Sequence, residues 1–224
     1  MIPWIKIDTA RVPGTDGELR LMRRGAEFSI MLGTNELMNS RLSGSEAALA
    51  TLAAKKIEKV AKPHVLIGGL GMGFTLRAAL AVLGPGAKIV VAELVPAVVA
   101  WARGPVAEIF GDSLKDPRVS ILETDVTEVI RSESRAFDTI LLDVDNGPEG
   151  LTRKANDALY NSAGLKAAHA TLRPGGVLAV WSSGPNPPFA KRLRGVGFDV
   201  NEVAVRATGR GGGARHVIWI ATTA

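Results

Sequence analysis

Four groups in this chain have the residue types and spacing to hold a nucleoside. The run His64-Val-Leu-Ile-Gly-Gly-Leu-Gly-Met-Gly73 carries an apolar segment into Gly69, Gly71 and Gly73. Glycines at such a turn let the backbone approach a ligand and adopt positive φ. A helix starting behind them offers unpaired N–H groups. The dinucleotide fingerprint Gly-x-Gly-x-x-Gly fails by one residue, because position 74 is Phe. The Gly-x-Gly-x-Gly spacing suits a nucleoside with a sulfonium side chain, and packing alone is the competing reading. Glu93 stands 20 residues beyond Gly73 at the end of an apolar run. An acid there accepts hydrogen bonds from ribose hydroxyls; the alternative is an ordinary solvated strand-end carboxylate. Asp125 closes Leu122-Glu-Thr-Asp125, where it could accept from an adenine amino group. Asp143 closes Thr139-Ile-Leu-Leu-Asp143 and is followed by Asp145 and Asn146. Turn capping before Gly147-Pro148 is the rival role for Asp143 and Asp145.

These residues need a scaffold that brings them to one edge. Apolar runs at His64–Ile67, Lys88–Glu93, Val119–Glu123, Phe137–Asp143 and Val177–Trp181 read as buried parallel strands. Helical patterns lie between them, at Phe74–Leu83, Pro96–Arg103, around Val126–Ser132 and at Ala158–Leu172, the last closed by Pro174-Gly175-Gly176. A helix over Pro188–Gly195 follows. Val200–Arg206 and His216–Ala221 are joined by a Gly-rich turn, Gly209–Gly213, too short for a crossover helix, so they should pair antiparallel. The expected fold is α/β: a three-layer, Rossmann-like methyltransferase sheet, mostly parallel and ending in an antiparallel hairpin. In such sheets ligands sit at the carboxyl ends of the strands, where the glycine turn and all three acids fall. Residues 1–45 form a separate small β region, with strands at Ile2–Ile7, Leu19–Arg23 and Glu27–Leu32. The nucleoside-binding domain then spans 46–224. It opens on a helix over Glu46–Val60, with Ser43 and Ser45 as candidate caps and Pro63 as its stop.

Composition narrows the classes. The 224 residues are 46% hydrophobic, with mean hydropathy +0.17, enough for a sizeable core and against disorder. Cysteine is absent, which removes disulfides, thiolate metal sites and a cysteine nucleophile, and suits a reducing, cytoplasmic setting. The net charge of +5 is spread out, no basic block is long enough for a nucleic-acid arm, and aromatics are only 5%. No nucleic-acid partner is expected. The apolar stretches are too short or interrupted to span a bilayer, and Lys6 and Asp8 stand where a signal peptide would need an apolar run. His64, His169 and His216 are scattered, so no metal is expected. Ser182-Ser183-Gly184 lacks the Gly-x-Ser-x-Gly of a hydrolase nucleophile turn. His216 opens the last strand in a structural role. Trp181 either walls the ligand site or packs in the core.

On these residues the chain resembles the spermidine synthase (polyamine aminopropyltransferase) family of class I S-adenosylmethionine-dependent transferases. Phe137-Asp-Thr-Ile-Leu-Leu-Asp143-Val-Asp145-Asn146-Gly-Pro148 is similar to the family's segment Tyr-Asp-x-Ile-x-x-Asp-x-x-Asp-x-x-Gly-Pro. Leu159-Tyr160, followed by Leu172-Arg-Pro-Gly-Gly176, resembles the helix and turn that come next. The resemblance implies aminopropyl transfer to a small amine, with S-adenosylmethionine or its decarboxylated form as co-substrate. It implies that Gly69, Gly71, Gly73, Glu93 and Asp125 bind the nucleoside, with Glu93 on the ribose and Asp125 on the adenine. Asp143 would deprotonate or orient the amine, and Asp145 and Asn146 would contact it; Tyr160, the single Tyr, either packs under the loop 145–157 or reaches the amine with its hydroxyl. It also implies a homodimer through the N-terminal strands. The chain departs from the family pattern at Met72, where members carry an acid inside the glycine turn. It departs again at Asn146, in place of a second acid, and at Gly44-Ser45, in place of a Tyr-His pair. It also stops at the last strand of the sheet. The alternatives are a methyltransferase on the same scaffold and a non-enzymatic nucleoside-binding relic.

Overall fold

Short strands joined by tight turns fold the N-terminal segment into an antiparallel sheet. The computed structural model describes residues 2–41, 43–144, 148, 158–208 and 213–224. Strands β1 (Ile5–Arg11), β2 (Glu18–Arg24), β3 (Glu27–Leu32) and β4 (Asn35–Asn39) lie in that order. Gly25 and Gly33 make the turns after β2 and β3 with positive φ, a backbone state that costs other residues strain. The sequence reading put β1 three residues early and did not contain β4. Asn35 and Asn39 are poor strand formers, and β4 is held by pairing to β3. Leu19, Leu21, Phe28 and Ile30 turn one face of this sheet into the main hydrophobic core.

Helix α1 (Gly44–Lys56) ends at Lys56 rather than Val60, and Ser43 at its N-cap makes no side-chain cap. Ser45 is buried instead (1% exposed). Strand β5 (His64–Gly68), helix α2 (Phe74–Val82), β6 (Lys88–Glu93) and α3 (Pro96–Arg103) follow. Next come the short α4 (Ala107–Phe110), β7 (Val119–Glu123), α5 (Val126–Ser132) and β8 (Phe137–Leu142). Helix α6 (Ser162–Thr171), β9 (Leu172–Ser182), α7 (Pro187–Gly195), β10 (Asp199–Arg206) and β11 (Arg215–Thr222) complete the chain. The seven-stranded sheet has the order β10-β11-β9-β8-β5-β6-β7. All neighbours from β7 to β9 pair parallel. Strand β11 is antiparallel to both β9 and β10 and lies between them.

Strand β9 runs through Pro174-Gly175-Gly176, which the sequence reading took for a stop. Its register to β8 slips between Phe137 and Thr139, so the glycines form an irregularity within the strand. Helices α5, α6 and α7 cover one face of the sheet with a core that includes Ile130, Leu165, Phe189 and Trp219. Helices α1 to α4 and the N-terminal sheet cover the other. Both faces of the central strands are therefore apolar, as near-continuous β-branched runs require. Among the described residues no helix is long and apolar enough to cross a membrane.

Candidate active site

The carboxyl ends of β5, β6, β7 and β8 meet beneath the N-terminal sheet in a cleft. Counted out to its mouth and with open solvent included, the cleft encloses about 890 Å³. Gly69, Gly71, Glu93, Asp125 and Asp143 all line it. The roof comes from Val12, Leu19, Ile30 and Leu37 of the first forty residues. A smaller pocket adjoins it, lined by Glu46, Met72, Phe74 and Trp181. The two share Leu37, Met38, Gly71 and Asp143 as a common wall.

The glycine turn is shaped by what presses on it. Gly69, Gly71 and Gly73 all have positive φ. A Cβ on Gly69 would sit 2.9 Å from the Asp143 carbonyl oxygen, and one on Gly71 would sit 3.1 Å from Met38 Sδ. A Cβ on Gly73 would collide with the Phe110 ring. Gly71 thus lets the roof close on the loop, whereas Gly73 serves packing against α4. Gly73→Ala combines a left-handed φ with overpacking, so it should cost ~2 kcal/mol or more and lower Tm by roughly 4–8 °C. Thermal melts of Gly73→Ala and of Gly73→Ala/Phe110→Leu check this; the second change should recover part of the loss.

Glu93 is almost fully buried. Its Oε2 accepts from Leu70 N at 2.9 Å and its Oε1 from Val95 N at 2.9 Å. Burial nevertheless pushes its pKa up, because desolvation outweighs those backbone donors. The side chain therefore braces the glycine loop while facing the cleft. Asp125 caps α5: its Oδ1 accepts from Thr127 N at 2.9 Å and Thr127 Oγ1 at 2.6 Å. The capping signal Asp-x-Thr was readable in the sequence, which assigned Asp125 to the ligand alone.

The turn before Gly147-Pro148 that Asp143 could alternatively cap lies outside the described residues, at 145–147. Asp143 Oδ2 accepts from Thr75 Oγ1 of α2 at 2.7 Å. Burial, then the negative charge of Glu46, raises its pKa to about 7. Glu46 is pushed up as well, chiefly by burial. Its Oε2 accepts from Ser45 Oγ at 2.7 Å. Ser45 Oγ lies 3.0 Å from His216 Nδ1 on β11, and the imidazole stacks edge-on against Trp181 with ring centroids 4.7 Å apart. The Trp181 indole N–H is buried without a hydrogen-bond partner among the described residues. Sequence reasoning did not assign Thr75 or Glu46 to the site. It also gave His216 no link to the acids, since 171 residues separate it from Ser45.

Tyr160 lies elsewhere. It packs edge-on against Phe189 at 5.7 Å in the core beneath α6 and α7 and lines neither cavity. Asp145 and Asn146 fall outside the described residues. Among the described residues no three His, Asp or Glu side chains are placed to hold a metal ion.

A mostly parallel seven-stranded sheet with a glycine turn, strand-end acids and an inserted antiparallel last strand is a Rossmann-like, methyltransferase-type fold. Within it, the chain resembles the spermidine synthase family. No family model matches the chain. Polyamine aminopropyltransferase 2 of Pseudomonas aeruginosa is 30% identical over 155 residues, which is 64% of this chain and 42% of that protein. The chain therefore matches less than half the length of that relative. The spermidine synthase of Thermotoga maritima superposes with a TM-score of 0.77 at 19% identity, over 98% of this chain and 73% of that one. A spermidine synthase in complex with the transition-state analogue AdoDATO gives 0.76 at 18% identity, over 98% and 72%. A probable spermidine synthase from Corynebacterium glutamicum gives 0.66 at 17%, over 96% and 79%. At these identities the structures establish the shared fold.

Proposed function

We propose that this chain is an aminopropyltransferase that binds decarboxylated S-adenosylmethionine in the main cleft and a small primary amine in the adjoining pocket. The observation that carries this reading is the placement of Asp143, a half-buried acid on the wall common to both cavities. A sulfonium is already an activated electrophile, so displacement at its propyl carbon mainly needs positioning. The attacking amine must be neutral, and a carboxylate with a pKa near 7 suits the removal of its proton at physiological pH. Glu93 would receive the ribose hydroxyls and Asp125 would face the base. The analogue bound by one structural relative and the name of the curated relative support the same chemistry.

The charge of the site supports the decarboxylated donor. Among the described residues the two cavities are lined by Glu46, Glu93, Asp125 and Asp143, with no Lys, Arg or His. The carboxylate of full S-adenosylmethionine would meet only like charge there. A methyltransferase is the second reading, favoured by Met72, which leaves the glycine turn without an acid for the donor's amino group. Calorimetry with S-adenosylmethionine, its decarboxylated form and methylthioadenosine tests both. Tighter binding of the decarboxylated form, by at least ~10-fold, is expected from removing one buried like-charge contact. Preference for full S-adenosylmethionine would support the methyltransferase, and binding of none of the three would leave a relic.

A further inference from the structure

The acids of the side pocket are joined to the protein surface by a chain of polar groups that the transfer reaction alone does not explain. Glu46 Oε2, Ser45 Oγ and His216 Nδ1 follow one another at 2.7 and 3.0 Å. Ser45 is 1% exposed, so its hydroxyl has been taken into the core to make these two contacts. His216 is half-buried and reaches solvent at the other end. Its ring is fixed by Trp181, which also lines the side pocket. Two elements, α1 and β11, therefore supply one hydrogen-bonded line, and Trp181 of β9 packs against its imidazole.

We propose that His216, through Ser45, positions Glu46 and forms with it the path by which the acceptor amine's proton leaves Asp143 for solvent. This rests on the aminopropyl-transfer reading. The acceptor enters as an ammonium and gives one proton to the Asp143 carboxylate. Its neutral nitrogen attacks the propyl carbon on the sulfonium. The C–N bond forms, the C–S bond breaks, and the electron pair of that bond stays on sulfur as a neutral thioether. The product is a secondary ammonium, so the proton held by Asp143 is the one released per turnover. Glu46 and Asp143 line the same side pocket and the charge of Glu46 raises the pKa of Asp143, so a proton taken up by the pair is shared between them and can reach Glu46 across the pocket. A serine hydroxyl both donates and accepts. With Glu46 ionised, Ser45 donates to it and accepts from His216. With Glu46 protonated and the imidazole in its Nε2–H tautomer, reached by exchange with solvent, Glu46 donates to Ser45, Ser45 donates to Nδ1, and the imidazolium so formed releases its Nε2 proton to solvent.

Burial holds His216 below the usual histidine pKa, which favours the neutral imidazole that such a path needs. The ionisable groups around it are Glu46 of α1, Asp143 beyond it just past the end of β8, and the hairpin cations Arg206 and Arg215.

The experiment has a kinetic arm and a titration arm on the full chain, with decarboxylated S-adenosylmethionine and 1,4-diaminobutane as probes. Ser45→Ala and His216→Gln should each lower kcat about 10-fold, leave KM within about twofold and displace the acidic limb of the kcat–pH profile. Ser45→Thr, which keeps the hydroxyl, should restore most of the rate. In the ligand-free protein, NMR titration of His216 should show its pKa falling by ~0.5 unit or more in Glu46→Gln, because a linked carboxylate has been removed. Active wild type with an unchanged pH profile in both variants overturns the path, as does a His216 titration indifferent to Glu46→Gln. Wild type that transfers no aminopropyl group removes the underlying reading instead, and the titration then shows separately whether the polar line exists.

Discussion

Asp143→Asn is expected to cut kcat by at least ~10²-fold while leaving methylthioadenosine affinity within about twofold. Asparagine keeps an acceptor for Thr75 Oγ1, so the wall between the two cavities should hold its shape. It cannot take a proton from the amine. In the wild type, kcat should fall as pH drops below about 7, the value to which burial and Glu46 raise this acid. Unchanged turnover in Asp143→Asn would end its role as the base. The same shift sets a second, activity-independent result. Asp143 has a folded pKa of about 7 against 3.8 when unperturbed. Its contribution to stability is therefore present in full below the lower value and is lost as pH rises to the upper one. Asparagine escapes that loss. Asp143→Asn should melt higher than wild type at pH 8, and the gain should shrink towards pH 4. A variant no more stable than wild type at pH 8 would mean that the carboxylate carries its charge in contact with water.

Glu93→Ala should weaken nucleoside binding by at least ~10²-fold, because two ribose hydroxyls would lose a charged acceptor at ~1.5–3 kcal/mol each. The structure adds a cost in the unliganded protein. Leu70 N and Val95 N both donate to this carboxylate, and alanine would strand them at ~1–3 kcal/mol each. Glu93→Gln separates the two effects, since an amide retains one carbonyl acceptor. It should lose less Tm than Glu93→Ala yet still bind the nucleoside weakly. Calorimetry with methylthioadenosine and thermal melts on both variants read this out; wild-type affinity in Glu93→Ala would remove the residue from the site.

The parallel strands were legible because their signal is local. Val65 to Ile67, Ile89 to Val91 and Thr139 to Leu142 are short apolar runs bounded by turns, and their ends fell close to where the sequence placed them. The positions of Gly69, Glu93 and Asp143 along the sheet edge followed from those strands, and that of Asp125 from β7. What escaped depends on contacts distant in sequence. Strand β4 exists through its pairing to β3. Thr75 meets Asp143 across 68 residues, and His216 meets Ser45 across 171. Tyr160 sits next to a site-bearing segment in sequence, yet its ring turns towards Phe189, because a large aromatic gains more from the core than from a polar pocket. The roof over the cleft was also hidden, since the docking face of a small sheet cannot be read from its alternation.

Strand β11 follows β10 in the chain but lies inside it in the sheet. During translation, β9 therefore presents a bare hydrogen-bonding edge until the ribosome has delivered residues 215–222. That edge is long and apolar, the kind that recruits foreign strands. A nascent chain stalled in the last hairpin would be both sticky and without its imidazole, so arrival of this strand closes the sheet and completes the surroundings of the acid pair in a single late event.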